Sequence, residues 1–174
     1  MIKRIFVFFL TCFLGTNVFS QDARLLKNFP GLFFGVEWNT LSGLSGVDFE
    51  RTVYQKQKML IGLKAVHVFK YKLSNLQLLN SSYEGTATFS HLMGTAQLFT
   101  GKNNYKGLLV HSGLGAGIRK REQYDVSQSR TYPAFEFGFG LQFPVSKTVS
   151  LKWTNSLTFA GEGGITLSKI SLAF

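Results

Sequence analysis

The sequence predicts an all-β fold: an eight-stranded antiparallel up-and-down transmembrane β-barrel, preceded by a cleavable signal peptide over residues 1–20. Three observations carry this. Apolar and polar residues alternate with a period of two in segment after segment, and no 3.6-residue periodicity separates them. The polar faces of these segments are rich in glycine while the apolar faces are rich in aromatic residues. The links between segments alternate between short turns and long polar loops, as in a meander whose neighbouring strands reverse.

The start of the chain, "MIKRIFVFFLTCFLGTNVFSQ", is set apart from the rest. Lys3 and Arg4 supply a positive n-region, residues 5–14 an apolar h-region, and Val18 and Ser20 precede a cleavage site ahead of Gln21. The apolar run is too short to span a bilayer as a helix. Cleavage would lower the net charge from +10 to +8, through loss of Lys3 and Arg4, and would remove Cys12, the one cysteine. The mature barrel domain is then 21–174, with neither a disulfide framework nor a cysteine-based zinc site.

The strands follow in order. "GLFFGVEWNT" sets Leu32, Phe34, Val36 and Trp38 against Phe33, Gly35, Glu37 and Asn39. "SGVDFERTVY" sets Val47, Phe49 and Val53 against Asp48, Glu50 and Thr52, with Arg51 on the apolar face. "MLIGLKAVHVFKY" sets Met59, Ile61, Leu63, Ala65 and Phe69 against Gly62, Lys64, Val68 and Lys70. "TATFSHLMGTAQLFTG" carries apolar residues in both registers, which a β-bulge would explain. "KGLLVHSGLGAGIR" sets Leu108, Val110, Leu114, Ala116 and Ile118 against His111, Arg119 and glycines 107, 113, 115 and 117. "PAFEFGFGLQF" sets four phenylalanines and Leu141 against Glu136, Gly138, Gly140 and Gln142. "VSLKWTNSLTF" sets Val149, Leu151, Trp153, Leu157 and Phe159 against Ser150, Lys152, Thr154 and Ser156. "GITLSKISLAF" closes the series, with Ile170, Leu172 and Phe174 opposed to Lys169 and Ser171. Links are expected near 40–45, 55–58, 72–84, 101–104, 120–131, 145–148 and 160–163.

An antiparallel sheet ordinarily buries its apolar face. That arrangement would give a soluble exported lipocalin-like barrel binding a small apolar ligand, which stands as the alternative. The composition favours the inverse. A solvent face has no reason to be small, whereas a crowded lumen does, and the apolar faces are continuous and aromatic. Trp38, Tyr71, Tyr132 and Phe159 gather at the long-loop ends; Tyr54, Phe99, Tyr105, Phe143 and Phe174 gather at the short-turn ends. Two aromatic belts flanking an apolar band describe a barrel in lipid, where closure is obligatory because an open strand edge cannot be satisfied in hydrocarbon. Arg51 departs from this pattern: either a bulge turns it inward, or it lies near enough an interface to snorkel. His67 poses a milder form of the same problem.

The signal segment ending in "VFSQ", the dyad strands, the short-turn/long-loop alternation and the "LSKISLAF" ending together resemble the small outer-membrane β-barrel family, the OmpX/OmpA-type eight-stranded barrels of Gram-negative bacteria. The resemblance covers essentially the whole mature chain. It implies residence in the cell outer membrane as a monomer, contact with outer-membrane lipids and lipopolysaccharide, and recognition of Ile170, Leu172 and Phe174 by the barrel-assembly machinery. Some relatives trim or transfer acyl chains on lipopolysaccharide. A hydrolase of that kind needs a His activating a Ser, and within one strand the two must be two residues apart to share a face. His111 and Ser112 are adjacent, as are Ser90 and His91, so no catalytic residue is expected and the protein reads as a non-enzyme.

The interior of an eight-stranded barrel is just wide enough for side chains to fill it. Glu37, Asp48, Glu50, Lys64, Arg119, Glu136, Lys152 and Lys169 are expected to point inward as a charge network that plugs the lumen. No cofactor is expected, and His67, His91 and His111 lie in separate strands rather than forming a metal cluster. The net charge of +10 comes from Lys and Arg spread along the chain. A nucleic-acid binder clusters them instead, so no nucleic-acid partner is expected. The polar segment "RKREQYDVSQSR" is the best loop candidate for surface contacts, through Lys120, Arg121 and Arg130.

Overall fold

The computed structural model describes residues 28–39, 41–73, 85–100, 106–123, 126–145, 149–160 and 163–173. The signal segment, Tyr105 and Phe174 lie outside these residues. Eight strands follow one another: β1 (Asn28–Glu37), β2 (Ser42–Lys56), β3 (Met59–Leu73), β4 (Gly85–Phe99), β5 (Gly107–Gln123), β6 (Val126–Pro144), β7 (Ser150–Ala160) and β8 (Gly163–Ala173). Each pairs antiparallel with its sequence neighbours, and the order β1 to β8 closes on itself. The closing seam joins β1 to β8 from Gly31↔Ser171 to Glu37↔Ile165, so the last strand has no open edge. No helix among the described residues is long and apolar enough to cross a membrane.

The dyad pattern decides which side chains enter the lumen. Leu32, Phe34 and Val36 of β1, and Trp38 just past its end, are exposed on the outer wall, and Phe34 reaches 70% exposure. Phe135, Phe137, Phe139 and Phe143 of β6 are exposed likewise, as are Ile170 and Leu172 of β8. Glu37, Lys64, Glu136, Lys152 and Lys169 are buried inside.

Two irregularities invert faces, and neither lies in β4. That strand alternates without interruption against β5, and its inward residues include Ala87, Phe89, His91, Met93, Thr95, Gln97 and Phe99. Its mixed register in the sequence reflects an interior that is itself partly apolar, not a bulge. The bulges fall instead in β2, between Thr52 and Tyr54, and in β3, between Val68 and Tyr71. The β2 bulge comes after Arg51 and leaves it on the outer wall, half-buried in the turn-side half of the strand. The β3 bulge leaves Phe69 and Lys70 both exposed and sends Tyr71 inward. Lys70 therefore faces out rather than into the lumen.

The aromatic belts are thinner than the sequence suggests. Tyr71, Tyr132 and Phe99 are buried in the interior, whereas Trp38, Tyr54, Phe143 and Phe159 stand on the outer wall. The segment 120–131 also differs from a loop. β5 continues to Gln123 and β6 begins at Val126, with unbroken pairing from Arg119↔Arg130 to Gln123↔Val126. A tilted strand crosses a bilayer in about 9–11 residues. The 17 and 19 residues of β5 and β6 therefore carry a two-stranded ribbon past the rim.

Candidate functional site

The interior is layered along the barrel axis. At the turn end, Leu60, Phe99 and Leu109 form a small apolar cluster, with Phe29 buried beside the charged side chains above it. The middle layer is charged. Towards the loop end, Phe33, Val66, Val68, Phe89, Met93 and Leu167 belong to a second and larger apolar cluster. The sequence reading anticipated charge inside but not these apolar layers, although Phe29 and Phe33 share parity with Glu37.

All eight residues of the expected charge network are buried, four acidic and four basic. They separate into connected groups. Lys152 Nζ donates to Glu50 Oε2 at 2.6 Å; Thr95 Oγ1 and Gln97 Nε2 donate to Glu50 Oε1 at 2.5 and 2.7 Å. The Lys152 ammonium also lies 4.0 Å from the centre of the Phe29 ring, where a cation is attracted by the ring face. Glu136 Oε1 accepts from Lys64 Nζ and, at 2.9 Å, from Lys169 Nζ; Lys169 also lies 3.7 Å from Asp48 Oδ2. His111 Nδ1 stands 3.4 Å from the same Glu136 oxygen. At the loop end Arg119 Nη2 donates to Glu37 Oε1 and, at 3.1 Å, to Tyr71 Oη, while Tyr71 Oη donates to Glu37 Oε2 at 2.9 Å. Charges taken from water need this density of partners to be tolerated. The void among Asp48, Glu50, Lys64, His111, Lys152 and Lys169 is about 10 Å³, about room for one water.

Above Arg119 the interior opens. The ribbon of β5 and β6 and the barrel mouth enclose a cleft of about 480 Å³, lined by Arg119, Arg121, Gln128, Arg130, Tyr132 and Ala160 among others. Register explains the gathering. Arg119 lies opposite Arg130 and Arg121 opposite Gln128, so all four share the ribbon face that looks over the lumen. Lys120 lies on the other face. There Glu122 accepts from Lys70 Nζ at 2.5 Å and pairs with Lys120 at 2.9 Å, tying the β3 bulge to β5 across β4. These two ammonium groups, Lys70 first, lower the Glu122 pKa from its ordinary 4.5 to about 2. The three expected surface contacts are thus divided: Arg121 and Arg130 line the cleft with Arg119, and Lys120 belongs to an exposed ion-pair cluster.

A His–Ser pair does exist, across strands rather than along one. His67 Nδ1 and Ser90 Oγ are 2.8 Å apart on the outer wall, because His67 lies opposite Ser90 in the β3–β4 ladder. A test of spacing within one strand cannot see it. The other described contact of His67 is an edge-to-face approach to Phe69; no carboxylate orients its ring. This pair therefore lacks the third member of a hydrolytic triad, and its hydrogen bond satisfies two polar groups on an apolar wall. No group of three or more His, Cys, Asp or Glu among the described residues is placed to hold a metal ion.

No protein-family model matches the chain, and no curated protein matches it in sequence. Solved structures do match. The attachment invasion locus protein Ail of Yersinia pestis superposes with a TM-score of 0.52 at 11% identity, over 85% of this chain and 94% of that one. The same protein in complex with the heparin analogue sucrose octasulfate gives 0.55 at 10% identity over the same shares. The N-terminal β-barrel domain of Pseudomonas aeruginosa OprF gives 0.50 at 12% identity, over 85% of this chain and 97% of that domain. At these identities the likeness is one of fold: this chain has the eight-stranded barrel fold of outer-membrane proteins.

Proposed function

We propose that the chain is a monomeric integral protein of the cell outer membrane with a closed lumen. In this reading it serves a structural or surface-contact role and not a catalytic one. The observation that carries this is the inversion of the barrel: an apolar outer wall around four buried acids and four buried bases, with a void among the central charges that has room for about one water. An outer wall of that character suits lipid. An interior so filled leaves no continuous water path for ions. The ribbon past the rim is the part positioned to meet lipopolysaccharide. The tail carrying Ile170, Leu172 and Phe174 would be the segment offered to the barrel-assembly machinery.

The test is reconstitution of the full chain, purified from the membrane fraction, into a planar bilayer. A folded barrel, identified by heat-modifiable gel mobility, should give no steady conductance. Large, long-lived openings would overturn the closed-lumen reading. Recovery of the protein only from the soluble fraction would overturn the membrane reading itself.

A further inference from the structure

We propose that the turn end of the barrel is a contact surface for phospholipid headgroups of net negative charge. This rests on the outer-membrane reading above and names the lipid class and the end of the molecule that meets it. The charges of the chain are sorted by end. The links that join β2 to β3, β4 to β5 and β6 to β7 all lie at the turn end, and residues 51–60, 98–108 and 143–150 contain no Asp or Glu. Of the nine acids, four are buried in the lumen. Glu84, Glu122, Asp125 and Glu162 fall in or beside the links that join β3 to β4, β5 to β6 and β7 to β8, at the loop end. Residues 21–27, ahead of β1, hold the ninth, Asp22, together with Arg24 and Lys27. The turns thus carry cations with no acid of their own to offset them.

Lys56, Lys58 and Lys106 are exposed, and no ion pair among the described residues engages their ammonium groups. A second observation, independent of charge, fixes their level. Tyr54 stands exposed on the outer wall, and Lys56 follows it two residues on, on the same face of β2 and one step further from the apolar band. Leu98 and Leu108 are exposed on the same wall, and Lys106 precedes Leu108 by two residues. Backbone hydrogen bonds from Phe99 N to the Lys58 carbonyl, 2.8 Å, and from Thr100 N to the Leu108 carbonyl, 3.0 Å, tie the first turn, the end of β4 and the start of β5 together. The three lysines therefore stand just beyond the edge of the apolar wall, at the level where headgroups begin in a bilayer matched to that wall. A lysine ammonium is a compact point charge on a flexible stem, suited to the phosphate of a lipid that moves along the wall. At an anionic membrane surface each such lysine strengthens association about fivefold.

The experiment folds the full-length protein into phosphatidylcholine vesicles and measures, by electron spin resonance, how spin-labelled phosphatidylglycerol and spin-labelled phosphatidylcholine divide between the barrel surface and the bulk bilayer. Phosphatidylglycerol should be favoured at the barrel about twofold or more, averaged over the whole perimeter, and the preference should fall as salt is raised. The variant Lys56→Gln/Lys58→Gln/Lys106→Gln should lose most of it, and Lys70→Gln/Lys120→Gln, at the loop end, should keep it; heat-modifiable mobility shows each variant to be folded. An inserted wild-type barrel with no preference overturns this proposal and leaves the membrane reading standing. An equal loss in the two variants overturns it too, because the attraction would then follow net charge and not the turn end. A chain that does not insert at all overturns the membrane reading and this proposal with it. A second arm titrates poly-glutamate into the protein folded in zwitterionic micelles. Binding that needs the three lysines, without any lipid preference in vesicles, assigns the surface to an acidic protein segment and overturns the lipid proposal.

Discussion

Buried ions in the lumen are held by specific sets of side chains, as Glu50 and Lys152 show. Thr95 and Gln97 complete the carboxylate, and the Phe29 ring lies against the ammonium. Removing one partner leaves the other charge buried and uncompensated, which costs about 3–5 kcal/mol. Replacing both with neutral side chains of similar volume removes the desolvation penalty along with the attraction. We therefore expect Lys152→Met alone to destabilise the barrel by about 3 kcal/mol or more, and Glu50→Gln with Lys152→Met to recover most of that loss. Urea unfolding of the barrel in micelles, followed by tryptophan fluorescence, reads this directly. Equal stability of the single and double variants would show that the pair does not act as a unit. Membership of these residues in the interior was legible from parity: Glu136 and Lys152 occupy the polar register of clean dyad strands, and Glu50 that of a strand whose apolar face is interrupted by Arg51. Their partners were not, since contacts between strands far apart in sequence depend on how the closed sheet folds across its own lumen. The same parity puts Tyr132 inside with Glu136. Its position near a strand end, which suggested a belt, was the weaker signal.

At the level of the strand, the glycines of β5 show why small residues crowd the polar register. A side chain at Gly115 would place its Cβ 1.9 Å from the carbonyl oxygen of Leu92 and 2.7 Å from Met93 Cα, both backbone atoms that cannot swing aside. At Gly113, on the same face, the nearest atom lies 3.5 Å away, in ordinary contact. The sequence reading ascribed these glycines to a lumen crowded with side chains; the closer constraint at Gly115 is the approach of the neighbouring strand. Gly115→Ala should destabilise the barrel by about 1–3 kcal/mol, the usual cost of overpacking. Gly113→Ala should be neutral or stabilise by about 0.5 kcal/mol through the unfolded state. Parallel urea titrations decide it, and equal effects at the two positions would refute the backbone-approach account. Element existence and order were legible because the period of two recurs in seven of the eight segments. Bulges were not: an extra residue in β2 or β3 leaves no mark in composition, so Tyr71 and Lys70 changed faces without warning. The ribbon was hidden for a different reason. "KREQYDVSQSR" is polar on both faces because both meet water, and polarity of that kind reads as a loop even where the ladder continues unbroken.

Across the whole molecule the decisive question is which solvent the outer wall meets, since the fold itself is compatible with an apolar wall in lipid or an apolar interior in water. The wall answers in a way that a depth-resolved substitution can measure. Phe137 stands in the middle of the apolar band of β6, exposed beside Leu157 of β7, and Tyr54 stands at the turn end of β2, one residue past the bulge. In a bilayer an arginine facing lipid costs about 2–4 kcal/mol at the midplane and about 0–1 kcal/mol near the interface, where its stem can snorkel. Phe137→Arg should therefore lower the stability of the vesicle-inserted barrel by about 2–4 kcal/mol and slow its insertion, while Tyr54→Arg should change either little. A wall meeting water predicts the reverse ranking, because replacing an exposed phenylalanine by arginine would then shrink an apolar patch and raise solubility. Reversible folding into lipid vesicles, with urea as the denaturant, separates the two. A cost at position 137 several times that at position 54 is what the inverted barrel requires. Equal or opposite effects would return the apolar wall to water, and with it remove the physical reason for placing four buried acids and four buried bases inside a closed sheet.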